Sequence, residues 1–212
     1  MISVEEALER ILSYVAPLDI EEKPNLDALG QVVAEDVVSG IDIPPLDNTA
    51  MDGYAVRAAD TAGASATSPA QVRVIGELAA GYVFDGEVAP GDAVRIMTGA
   101  PVPRGADAIV PFEETDEPSG SAFGSFAKSR DHVGVLKAAD VGANIRRAAE
   151  DVHRGQLILP KGAVLHPARI GVLASLGKAT VRVHRRPVVA ILSTGDEVKD
   201  PGQPLAPGQI YD

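Results

Sequence analysis

The apolar positions of this chain change their period several times, and each change marks an element. Ala7, Leu8, Ile11, Leu12 and Val15 recur at three- and four-residue steps, which is the spacing of one helix face. Ser3 followed by Glu6 supplies a capping box at its start, and Pro17 stops the run, because proline cannot continue a helix. A short helical turn is expected over 26–29, ended by Gly30, and then a strand over 31–38, rich in β-branched residues. Ile43-Pro44-Pro45 breaks regular structure and marks the first boundary.

From 44 to 133 short apolar runs alternate with Gly and Pro. Strands are expected over 53–56, 72–75, 93–97 and 108–112, with turns at Pro90-Gly91 and Pro103-Arg104-Gly105, the texture of a small β-barrel or sandwich. The stretch 113–131 is acidic, then Ser/Gly-rich, and reads as a hairpin loop or edge. Further strands are expected over 134–137, 156–159, 164–165 and 180–184, with a helix from Pro167 closed by Gly177. After Arg185-Arg186-Pro187, the run 187–192 is continuously apolar, the pattern of a parallel strand covered on both faces. It leads into Ser193-Thr194-Gly195-Asp196-Glu197, at the kind of strand end where open α/β sheets bind ligands. The 20 residues after Leu192 cannot cover such a strand, so the chain reads as the N-terminal part of a longer protein or a shortened version of one.

The expected fold class is therefore α+β and multidomain. Residues 1–43 with 134–184 form a discontinuous helix/strand domain, 44–133 an inserted β-rich domain, and 187–212 the opening of an α/β domain.

Composition narrows the function classes. Among 212 residues, 30 acids face 19 bases for a net charge of −11, which argues against a phosphate-tracking nucleic-acid binder. The charge is uneven: residues 1–60 hold 13 acids and 3 bases, whereas 137–212 hold 7 acids and 11 bases. That asymmetry suits a small anionic ligand or contact between oppositely charged subunits, as well as plainly solvated faces. With no cysteine, disulfides, thiolate metal sites and cysteine nucleophiles are excluded. No apolar run reaches a membrane span, and Met1-Ile2-Ser3-Val4-Glu5-Glu6 lacks the basic and apolar regions of a signal peptide. A cytoplasmic protein is expected, with no nucleic-acid or membrane partner.

Four loops carry candidate chemistry. Asn48-Thr49-Ala50-Met51-Asp52-Gly53-Tyr54 puts an amide, a hydroxyl and a carboxylate together. Asp52 could hold a hard cation there, or Asp52-Gly53 could simply serve a turn needing φ > 0. Arg95-Ile96-Met97-Thr98-Gly99-Ala100-Pro101 ends a strand with a hydroxyl that could donate to an anion. Asn144-Ile145-Arg146-Arg147-Ala148-Ala149-Glu150-Asp151 sets two guanidiniums beside two carboxylates, for phosphate and metal or for ion pairs between subunits or domains. Ser193, Thr194, Gly195, Asp196 and Glu197 combine hydroxyls, a glycine and carboxylates suited to Mg2+. They do not form a phosphate-binding Gly-Lys-Ser/Thr loop. Each loop alone also has a plain structural reading, as a turn or, for 144–151, as ion pairs, and the four histidines show no metal-ligand spacing.

Taken together and in order, these stretches resemble the MoeA family of molybdopterin molybdenumtransferases, which includes gephyrin and its plant counterparts. Ala34-Glu35-Asp36-Val37, Met51-Asp52-Gly53-Tyr54-Ala55, Ile96-Met97-Thr98-Gly99-Ala100, Gly105-Ala106-Asp107-Ala108-Ile109-Val110-Pro111 and Gly208-Gln209-Ile210-Tyr211-Asp212 extend the likeness over the whole chain. One departure is Ala149, where the family usually has Gly. The resemblance implies an elongated homodimer that inserts molybdate into adenylylated molybdopterin (molybdopterin-AMP), releasing AMP, with Mg2+ as the divalent cation. Its cleft would lie between the inserted domain of one subunit and the molybdopterin-binding domain of the other. Carried over, Asp52, Thr98 and Glu150 would be catalytic, Ser193 to Glu197 would bind the cofactor, and Asp52 and Asp196 would hold the metal. The molybdopterin adenylyltransferase is an implied partner. The rival implication, which the gephyrin likeness also allows, is a non-catalytic dimerisation or scaffold module.

Overall fold

The computed structural model describes residues 2–117 and 131–212. In chain order the regular elements begin with α1 (Val4–Leu12), β1 (Ile20–Pro24), β2 (Val37–Val38), β3 (Asn48–Thr49), β4 (Gly53–Val56), β5 (Ala70–Leu78) and β6 (Asp92–Ile96). They continue with β7 (Ala108–Pro111), β8 (His132–Val135), β9 (Ile145–Arg146), β10 (Leu157–Leu159), α2 (Pro167–Ser175), β11 (Thr180–His184), β12 (Val198–Lys199) and β13 (Ile210–Tyr211). The chain is thus sheet-rich and mixed, with few helices. It divides into two compact units, Met1–Asp36 with Leu159–Asp212, and Val37–Ile158. The expected insert, 44–133, lies inside the second unit.

In the first unit β1 pairs antiparallel with β11, and Val33 bridges Val183 while its neighbour Val32 bridges Val164. Val33, Leu165, Leu173 and Val183 are completely buried there. The strand expected over 31–38 is therefore broken. Successive residues pair with different neighbours, so no single ladder runs through the segment, and only Val37–Val38 forms a strand. In α2, Pro167 occupies the first turn and Gly177, at φ +71°, ends it. His166 sits at the cap position without a capping hydrogen bond from its side chain.

In α1, Ser3 accepts from the Glu6 N–H at 3.0 Å, while the Glu6 carboxylate turns to Arg10 at 3.1 Å. No residue of α1 is buried, and its apolar face, Val4, Leu8, Ile11 and Leu12, lies open. The apolar run 187–192 is not a strand: Val188 is 90% and Leu192 84% exposed. A strand needs backbone partners, and among the described residues no neighbour bonds to this run, so periodicity alone could not form it.

The second unit is built on one sheet in the order β7-β4-β6-β5-β8. Strand β4 is antiparallel to β6 and β7, whereas β5 runs parallel to β6 and antiparallel to β8. The chain leaving β7 turns through Phe112–Glu114, and 114–116 then bonds β8 (Leu136 N to Glu114 O and Asp116 N to Gly134 O, each 2.8 Å). The two sheet edges are bridged in this way, which removes the hazard of an open edge. Alternation along β4 and β7 builds two cores. Tyr54, Val56, Ala108 and Val110 pack on one side, Ala55 and Ile109 on the other with Val94 and Ile96.

Tyr54 is 1% exposed, and its hydroxyl donates to Glu117 at 2.7 Å. Burial first, and then the bond to Glu117, push the hydroxyl well above the ordinary tyrosine range. The folded protein therefore resists losing this proton, while the unfolded chain loses it near about pH 10. The associated stability is complete below that pH and disappears as pH rises toward the folded-state value. Urea unfolding is expected to show a falling midpoint above about pH 10, with a shallower fall in Tyr54→Phe. Equal slopes for the two proteins would show that Tyr54 is not the group responsible.

Candidate functional site

Three loops of the second unit are sewn together by backbone hydrogen bonds. Thr49 N–H donates to Ala100 O at 3.0 Å, and Gly99 N–H donates back to Thr49 O at 2.9 Å. Ala50 N–H donates to Asn144 O at 2.9 Å, and β3 pairs with β9. Asn144 takes φ +56° and its amide donates to Ile109 O at 2.9 Å, anchoring the third loop to the sheet. Residues 47–52, 97–101 and 144–151 therefore converge, although the last follows the first by about 100 positions.

At this junction the Thr98 N–H and its hydroxyl both donate to Asp52 Oδ1, at 2.7 Å each. The anion that Thr98 holds in this structure is thus the Asp52 carboxylate itself. Among the described residues no hydrogen bond reaches Asp52 Oδ2, so one carboxylate oxygen is held by Thr98 and the other is not. Gly53 is not needed for a positive φ. It is needed because a Cβ there would lie 2.1 Å from Val110 O.

The arginine loop is internally paired. Arg146 holds Asp151 at 2.6 Å and lies 3.7 Å from Glu150, and Arg147 holds Asp47 at 2.6 Å. These ion pairs close within the second unit. Glu150 Oε2 also accepts the Arg147 N–H at 2.9 Å, so this carboxylate shapes its own loop. The Ala148 N–H first, and then Arg147, hold the Asp47 carboxyl below the usual aspartate range. Asp47 escaped the sequence reading because its partner lies 100 residues away, and no local pattern announces such a pair. Ala149 stands at φ +62°, a region that favours glycine. The turn is kept nonetheless, with Ala149 N–H donating to Pro44 O at 2.9 Å.

Ser193, Thr194, Gly195, Asp196 and Glu197 belong to the other unit and are all exposed. Gly195 adopts φ +147°, where a Cβ would strike the Glu197 carboxylate. The Ser193 hydroxyl donates to Asp212, and Ile210 N–H donates to Glu197 O at 2.8 Å. Among the described residues no group of three or more His, Cys, Asp or Glu could hold a metal by itself. A lone carboxylate such as Asp52 still suits Mg2+, which commonly takes one or two carboxylates and completes its shell with water and substrate phosphates. No helix of the described residues is long and apolar enough to cross a membrane.

Residues 2–177 match the family described as MoeA N-terminal region (domain I and II). The chain belongs to the MoeA family. It is 44% identical over 189 residues to molybdopterin molybdenumtransferase 2 of Mycobacterium tuberculosis, covering 89% of this chain and 44% of that protein. It is 38% identical over 211 residues to the molybdopterin molybdenumtransferase of Bacillus subtilis, covering 99% of this chain and 47% of that one. The crystal structure of the molybdopterin biosynthesis MoeA protein from Pyrococcus horikoshii superposes with a TM-score of 0.82 at 36% identity, covering 96% of this chain and 51% of that chain. This MoeA chain therefore spans about half the length of the relatives it matches.

Proposed function

We propose that this chain supplies part of a site that inserts molybdate into adenylylated molybdopterin, releasing AMP and yielding molybdenum cofactor. The relatives' name, molybdopterin molybdenumtransferase, supports the reaction class. The observation that carries the reading to particular residues is the Asp52–Thr98 pair, held where three loops meet. Thr98 orients Asp52, and Asp52 Oδ2 stays available to the ligand. Mg2+ and molybdopterin-AMP are the proposed ligands: Asp52 is a proposed metal ligand, Asp196 is another, and Ser193 to Glu197 are the proposed cofactor contacts. A divalent cation bound there would offset the repulsion between molybdate and a phosphorylated pterin. Glu150 contributes by fixing the 144–151 loop. The working protein is a cytoplasmic homodimer that receives its substrate from the molybdopterin adenylyltransferase.

AMP release from molybdopterin-AMP, with molybdate and Mg2+, tests this directly. It is measured with the chain alone and with the portion of the Bacillus subtilis relative that the chain does not cover. Release only when that portion is present supports the reading. Release by the chain alone would show that the missing part is dispensable and overturn the shared site, and none in both, with the intact relative active, removes the reading. The bare apolar face of α1 (Val4, Leu8, Ile11 and Leu12) favours a second reading, a dimerisation or scaffold module. That reading prevails if the chain self-associates but never supports turnover.

A further inference from the structure

Tyr54 on β4 and Arg95 on β6 lie directly opposite one another, so their side chains share one face of the sheet. One carboxylate bridges them. Glu117 Oε2 accepts the Tyr54 hydroxyl at 2.7 Å, and Oε1 accepts Arg95 Nη2 at 3.1 Å. The Arg95 and Glu117 side chains are only 11% and 9% exposed. The Arg95 guanidinium lies 4.5 Å from the Phe112 ring centre, and Tyr54 meets the same ring edge-on at 5.6 Å. Thr115 Oγ1 accepts the Glu117 N–H at 3.2 Å, and Thr115 is itself buried. The carboxylate is therefore held from its backbone as well as from its tip.

The position of this bridge gives it a consequence beyond stability. Asp52 immediately precedes β4, and Thr98 follows β6 by two residues. Between the bridge and the Asp52–Thr98 contact stands one ladder pair, Gly53 opposite Ile96. Gly53 has no side chain with which to grip its neighbour. Registers are held by side-chain pairs and turns, and a slip of one residue reverses every side chain. Among the described residues, the last side-chain tie before the two loops meet is thus Tyr54 to Arg95 through Glu117.

We propose that Glu117 is a positioning residue for the Asp52–Thr98 pair, clamping Tyr54 to Arg95 so that the two loops meet in the geometry the site needs. This rests on the reading of Asp52 and Thr98 as site residues, but the clamp itself can be tested without any activity. Amide hydrogen exchange, resolved by residue, is measured on this chain for Glu117→Gln and Tyr54→Phe. Glu117→Gln removes the negative charge that faces Arg95 and leaves one acceptor oxygen, so that Tyr54 must turn from donor to acceptor if both contacts are to survive. Tyr54→Phe removes one arm with little change of volume.

Thr98 N–H is expected to exchange about tenfold faster or more in Glu117→Gln, and by a smaller factor in Tyr54→Phe, with Val56 and Val133 amides unchanged. Unchanged Thr98 exchange in the folded variants, or equal acceleration at all three amides, overturns the clamp. The second result would mark Glu117 as a general stabiliser. Should Glu117→Gln not fold, Tyr54→Phe alone decides by the same criterion. In whichever preparation releases AMP, Glu117→Gln should lower kcat with KM nearly unchanged, and should cost nothing further when combined with Asp52→Ala. Loss of the Asp52 effect on AMP release would remove the functional reading while leaving the exchange result standing, so the two failures are separable.

Discussion

Asp52→Ala is expected to lower AMP release from molybdopterin-AMP by about 100-fold or more, the usual cost of deleting one preorganised charged group from such a site. The reason is the geometry at its carboxylate. Two donors of Thr98 fix Oδ1 at 2.7 Å each, which sets the direction of the second oxygen before any ligand arrives. A group oriented in advance needs no reorganisation during the reaction, and this is where its advantage lies. Asp52→Asn separates charge from shape, since its amide oxygen can still accept from Thr98. If Asn is as inactive as Ala, the negative charge is what matters; if Asn retains most of the rate, Asp52 chiefly ties two loops together. AMP release unchanged in Asp52→Ala would take the residue out of the site.

Gly53→Ala should be strongly destabilising. Its Cβ would stand 2.1 Å from Val110 O, 2.8 Å from Val110 C and 2.9 Å from Pro111 Cα. These are backbone atoms of the neighbouring strand, which cannot rotate aside as a side chain can. Relief requires β4 and β7 to separate, so the loss is expected near about 3 kcal/mol, at the upper end for overpacking. For a chain of this length that corresponds to a fall in Tm of roughly 6–12 °C. Gly40→Ala is the control, because a Cβ there meets nothing within 4 Å. Thermal unfolding of the two variants side by side checks the expectation; matching Tm values would mean that β7 yields freely.

The Gly53 case shows what the linear pattern could and could not say. The motif around Asp52-Gly53 singles out the position, and a turn with positive φ is the natural local explanation for a glycine. The true cause is the approach of a strand whose residues lie more than fifty positions away. Thr98 is similar: its hydroxyl at a strand end is visible as a candidate, but its acceptor is Asp52, 46 residues earlier. Glu117 was not visible at all. Its tie to Tyr54 spans 63 residues, and an acid in an acidic stretch looks like any solvated one.

Elements whose stability is written locally were legible from the residues. Gly53–Val56 and Thr180–His184 are strands where they are expected, and the helix Pro167–Ser175 begins at its proline and stops before its glycine. The turn glycines Gly91, Gly105 and Gly162 all have positive φ. Caps, turns and side-chain period act within a few residues, so a one-dimensional reading captures them. Segments that depend on a distant partner were not legible. Apolar content was right for strands at 31–38 and 187–192, yet one is split between neighbours and the other bonds to none among the described residues. The site follows the same division. Residue types at Asp52 and Thr98 nominate the chemistry, whereas register across β4 and β6, and the bonds joining three distant loops, bring it to one place. Hydrogen-bond partners are chosen by which strands meet, and that choice belongs to the packed chain as a whole.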